Sequence, residues 1–80
     1  MSPLEKLKAA FVSAIGVPAT AEFDNLAYGR TVGWDSIAHM SLVNEIESSF
    51  DIMLDTDDVI DMSSFAKARE ILGKYGVVFA

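Results

Sequence analysis

Ser36 stands in a setting that no other serine of the chain shares: Gly33-Trp34-Asp35 precede it, Ile37 follows it, and His39 lies one helical turn on. With no cysteine and a single histidine in 80 residues, thiolate nucleophiles and zinc ribbons are excluded, leaving hydroxyls and carboxylates. Asp35, Ser36 and His39 do not make an acid–base–nucleophile relay. They crowd one turn of one helix, and no strand–Gly-x-Ser-x-Gly–helix elbow surrounds the serine. His39 falls on the apolar stripe of that helix and reads as a partly buried structural residue. Calcium loops fail as well. Counted from Asp51, the third and sixth places are Met53 and Thr56; counted from Asp55, the sixth and twelfth are Ile60 and Ala66, where glycine and a carboxylate are needed. No metal site and no catalytic residue is therefore expected. What Ser36 has is position. A phosphate ester on its hydroxyl would lie beside unpaired backbone N–H groups and the positive end of a helix dipole, with Ile37 and Met40 as apolar ground. An ordinary capping serine would occupy the same place.

The elements that must position this serine can be read from period and punctuation. Ser2-Pro3-Leu4-Glu5 is a capping box with proline at the first helical position, and Leu4, Leu7, Phe11 and Ile15 follow near helical spacing with Val12 beside them. Glu5, Lys6 and Lys8 are expected to face water, and Gly16-Val17-Pro18 ends the helix. A long aperiodic loop runs from Pro18 to Asp35, with Phe23, Leu26, Tyr28, Val32 and Trp34 expected to pin it and Gly29 and Gly33 to turn it. The second helix opens at Asp35-Ser36 and runs to about Phe50 on a stripe of His39, Leu42, Val43, Ile46 and Phe50, with Asp35 as its N-cap. Asp55 to Asp61 reads as a capped turn of helix. A last helix opens at Ser63 or Ser64 and carries Phe65, Ala68, Leu72 and Tyr75 inward, with Ile71 adjacent and Gly73 and Gly76 as possible ends. The apolar tail Val77-Val78-Phe79-Ala80 has no assignment. The expectation is a single all-α domain over 1–80: a four-helix bundle of three main helices and one short third helix, with a long loop after the first.

Charge is unevenly spread. Between Thr31 and Ala66 stand eight acids (Asp35, Glu45, Glu47, Asp51, Asp55, Asp57, Asp58, Asp61) and no lysine or arginine, within a net charge of −6. Such a chain is poorly suited to nucleic acid or to stable insertion in a membrane, and a soluble cytoplasmic monomer with basic partners is expected. The acidic run reads either as a solvated face or as a docking face that steers encounter.

Gly33-Trp34-Asp35-Ser36-Ile37, then Leu42-Val43, Ile46-Glu47 and Phe50-Asp51, resemble the acyl carrier protein family, without gaps from Gly33 to about Leu72. The first helix and long loop also fit that family's plan. The resemblance implies that Ser36 bears 4′-phosphopantetheine, delivered from coenzyme A by a phosphopantetheinyl transferase, and that the arm's thiol carries acyl or aminoacyl groups as thioesters. It implies a non-catalytic carrier serving acyl-activating, acyl-transfer or condensing enzymes with basic docking surfaces. Asp35, Ile37, Met40, Glu45, Glu47, Asp57 and Asp58 would be the residues those partners read. Carriers of general fatty-acid synthesis have acids two and five residues after the serine; here those places hold Ala38 and Ser41, which implies a specialised carrier for dedicated lipid or secondary-metabolite enzymes. The alternative is an acidic helical adaptor of the same fold that is never modified. Met40, Met53 and Met62 would fill core or acyl-accepting space.

Overall fold

The computed structural model describes residues 2–79. Four helices follow in order: α1 (Pro3–Ile15), α2 (Ser36–Phe50), α3 (Thr56–Asp61) and α4 (Phe65–Lys74), with a 3-10 turn over Phe23–Asn25 in the long loop. The chain is an all-α bundle, with no strand among the described residues. None of these helices is long and apolar enough to cross a membrane.

The capping box of α1 forms: Ser2 Oγ accepts from the Glu5 N–H, and Glu5 Oε1 accepts from the Ser2 N–H. That pairing holds the Glu5 carboxyl below the usual carboxylate range, because the Ser2 backbone N–H bonds to the ionised form. At its other end α1 stops at Gly16, whose φ of 85° places it in the left-handed region. Lys6 and Lys8 do not face water freely. They are half-buried, with ammonium groups over the Phe50 and Phe23 rings at 5.6 and 5.3 Å, so their stems cover apolar surface.

One buried cluster joins Leu7, Phe11 and Ile15 of α1, Leu42 and Ile46 of α2, and Phe65, Ile71 and Leu72 of α4. At its centre Phe11 meets Trp34 and Phe65 edge-on, with ring centroids 5.2 and 5.0 Å apart. Of the five residues expected to pin the long loop, Phe23, Leu26 and Trp34 are buried, whereas Tyr28 and Val32 are exposed. The loop is tied instead by backbone: Tyr28 donates to Ser63 O at 2.9 Å and Phe65 to Leu26 O at 3.4 Å, around a bridge between Ala27 and Ser64. Within the loop, Thr31 Oγ1 accepts from the Ala27 N–H and the Thr31 N–H returns to Ala27 O.

Helix α3 is held differently. Its only fully buried residue is Asp58, and it adds no apolar side chain to the buried cluster; Met62, just past its end, is the nearest member. Asp55 precedes it without a side-chain capping bond. Helix α4 continues through Gly73 to Lys74, with Ser64 as N-cap, and the chain turns at Gly76. In the tail, Val77 and Phe79 pack against the core and Phe79 meets Phe50 edge-on; Ala80 lies outside the described residues. Of the methionines expected in the interior, only Met62 is there. Met40 and Met53 are exposed.

Candidate functional site

Gly33 starts the site. Its φ is +90°, and a Cβ at this position would lie 2.6 Å from Ile15 O, so both backbone conformation and space require glycine. The loop thereby passes tightly over the end of α1. Trp34, next in line, is buried, and the chain re-emerges at Asp35. Asp35 Oδ1 accepts from the Ala38 N–H at 2.9 Å, the N-cap bond that starts α2.

Ser36 is thus the first residue of a 15-residue helix, exposed, in a turn whose leading N–H groups have no intrahelical acceptor. Its Oγ lies 3.0 Å from the Tyr28 hydroxyl. Exposed apolar side chains follow it on α2, Ile37 at 80% exposure and Met40 one turn on. A hollow of about 250 Å³ opens beside Tyr28, lined by Tyr28, His39, Val59 and Ile60. The floor is set by His39. Trp34 Nε1–H donates to His39 Nδ1 at 3.0 Å, and His39 Nε2 is 2.7 Å from Val59 O. A carbonyl only accepts and an indole N–H only donates, so the ring hydrogen is on Nε2. Both nitrogens are thereby occupied, and His39 is a strut between the serine loop and α3.

The residues expected to meet partners separate into three kinds. Asp35, Ile37, Met40, Glu45 and Asp57 are exposed. Glu47 is half-buried and its Oε2 accepts from the Leu54 N–H at 2.8 Å, holding the α2–α3 connection. Asp58 is the correction. Expected on the outer face, it is 6% exposed and turned inward, paired with Lys74 Nζ and accepting from the Tyr75 hydroxyl at 2.6 Å. An acid one residue after Asp57 faces the other way on a short helix packed against the end of α4. The Lys74 ammonium, and then the Tyr75 hydroxyl, hold the Asp58 carboxyl below its usual range. In return the Asp58 carboxylate raises both Lys74 and Tyr75. Ser41 is exposed, while Ala38 is half-buried and packs against the core.

Tyr28 and Ile60, which line the hollow, belong to this surface but are not legible as such in the sequence. Aromatic and branched residues in a long loop read as pinning, and only the turns at Gly29 and Gly33 bring Tyr28 back to the start of α2. Among the described residues no group of three His, Asp or Glu side chains is placed to hold a metal ion.

The residues present fit a covalent phosphate ester: an exposed primary hydroxyl at a helix N-terminus, a neighbouring phenol, and exposed apolar Ile37 and Met40 in the same turns of the helix. Comparison with protein-family models, with curated proteins and with solved structures finds no match.

Proposed function

We propose that the protein is an acyl carrier whose Ser36 hydroxyl is the attachment point of 4′-phosphopantetheine. The observation that carries this reading is the Ser36 hydroxyl itself, exposed at the first position of the longest helix and fixed there by the Gly33 turn and the Asp35 cap. When bound, the arm supplies a thiol that holds acyl or aminoacyl groups as thioesters, a chemistry this cysteine-free chain otherwise lacks. The chain's own part is to present the nucleophile, to offer backbone N–H groups and helix dipole to the phosphate, and to give partners an apolar landing at Ile37 and Met40. The base and magnesium come from the transferase, and the chain catalyses nothing itself.

The uncharged pair Ala38 and Ser41 supports service to dedicated lipid or secondary-metabolite enzymes. The exposed acids Asp35, Glu45 and Asp57 supply the charge that basic docking surfaces would meet. Such a carrier would work in the cytoplasm as a monomer.

The test is intact mass after incubation with coenzyme A, magnesium and a broad-specificity phosphopantetheinyl transferase. Wild type gains one arm, and Ser36→Ala gains none while keeping its helical circular dichroism. A wild type that takes no mass is an unmodified adaptor, and a Ser36→Ala variant that still takes it moves the attachment elsewhere.

A further inference from the structure

We infer that Tyr28 is a positioning residue for Ser36: its phenol donates to Ser36 Oγ before attachment and to an oxygen of the phosphate ester afterwards. This rests on the carrier reading above. The two hydroxyl oxygens are 3.0 Å apart, and the tyrosine is placed without help from the serine. Its N–H is bonded to Ser63 O at 2.9 Å, and the next N–H, that of Gly29, to Trp34 O at 3.1 Å. Its ring meets Trp34 and His39 edge-on, with centroids 6.2 and 5.3 Å apart. The phenol is therefore carried on a frame that reaches Ser63, just before α4, on one side and the Trp34–His39 strut on the other. At 42% exposure the ring has no need of this hydrogen bond for burial.

Either oxygen can donate in the unmodified chain, but one polarity alone survives modification. An esterified Oγ has lost its hydrogen and only accepts. With Tyr28 donating, the Ser36 hydrogen stays free for the transferase's base and an Oγ lone pair stays free to attack. The Oγ–P bond then forms as the P–O bond within the pyrophosphate of coenzyme A breaks, the hydroxyl proton passes to that base, and adenosine 3′,5′-bisphosphate leaves. Throughout, the phenol keeps an acceptor in front of it.

Three measurements test this. In the unmodified protein, Ser36→Ala should move the ¹³C resonance of the Tyr28 ring carbon bearing the hydroxyl and leave that of Tyr75, the only other tyrosine, in place. In steady state with the transferase, Tyr28→Phe should lower kcat roughly three- to tenfold, the worth of one hydrogen bond, with KM and Tm little changed. In the loaded protein, the ³¹P resonance of the ester should shift between wild type and Tyr28→Phe. A Tyr28 carbon unmoved by Ser36→Ala, an unchanged kcat, an effect on KM alone, or an unmoved ³¹P signal overturns the role of Tyr28 while normal loading of wild type leaves the carrier reading standing. A wild type that is never loaded overturns both.

Discussion

The two tyrosines of this chain make the same kind of hydrogen bond to opposite ends. Tyr75 donates to Asp58, accepts from the Asp55 N–H at 3.0 Å, and shares the Asp58 carboxylate with Lys74. Both oxygens of Asp58 are answered there, one by Lys74 and one by Tyr75, and the residue is 6% exposed. Tyr28 instead meets an exposed serine hydroxyl at the head of α2, where Ile37 and Met40 are also exposed. The closed cluster fastens α3 to the end of α4, where apolar burial does not. The open one leaves the Ser36 hydroxyl exposed. Polar groups that answer one another internally are spent on the fold, and those answered on one side only are available for chemistry.

The sharpest way to break this distinction is to neutralise neighbouring acids one at a time. Asp58→Asn loses the charge that pairs with Lys74 inside the cluster and should lower Tm by roughly 5–10 °C. Asp57→Asn, one residue earlier and exposed, should move Tm by no more than about 1–3 °C. Thermal unfolding followed by circular dichroism decides it. Equal shifts would mean that Asp58 is not a fastener, and loss of loading in folded Asp58→Asn would mean that the cluster also acts on Ser36, through Val59 O and His39.

Acid and base should affect the same cluster from both sides. The Asp58 carboxyl is lowered on folding, so its stabilisation is complete above the ordinary carboxylate range and disappears as pH falls through the lower folded value. Lys74 and Tyr75 are raised, so their share is complete below about pH 10 and is lost as pH climbs through the higher folded values. The Tm difference between wild type and Asp58→Asn should therefore be flat through neutrality, narrow in acid as Asp58 takes up its proton, and narrow again in strong base. A difference that is constant from acid to base would remove the ion pair from the account.

Much of the fold was legible because its signals are local. A capping box at Ser2, an Asp before Ser36, a serine before Phe65 and apolar stripes at helical spacing place α1, α2 and α4 almost residue by residue. The place of Ser36 at the head of α2 followed from the same local chemistry. What period could not say was which way single residues of irregular or short elements point. Tyr28 and Val32 look like loop anchors until the backbone pairing of Ala27 with Ser64 is known. Asp58 looks like Asp57 until the end of α4 is seen against it. Glu47 looks like a free surface acid, yet its carboxylate is occupied by the Leu54 N–H. Each depends on a contact between two different segments, from seven residues apart for Glu47 and Leu54 to thirty-seven for Ala27 and Ser64, which no helical spacing rule contains.

The bond from the Leu54 N–H to Glu47 reshapes the test of electrostatic docking, where the expected effects are smallest. Reversing Glu47 would disturb the α2–α3 connection as well as the surface, so Glu45 and Asp57, both exposed, are the cleaner pair. Glu45 is only lightly engaged, 3.4 Å from the Ser13 hydroxyl, and Asp57 has its carboxylate in the first turn of α3. Exposed ion pairs with a basic partner contribute about 0.2–1 kcal/mol each, so Glu45→Lys and Asp57→Lys should each slow association with the transferase by roughly two- to fivefold at low salt. Such attractions are screened within about 8 Å at physiological ionic strength. The gap between wild type and variants should accordingly close as salt rises, and the double variant should show the product of the two effects, since the sites lie on separate helices. Stopped-flow association at several salt concentrations reads this directly. A wild-type rate that ignores salt would leave the apolar ground at Ile37 and Met40 as the whole of the docking surface, and the acids of this face as solvation alone.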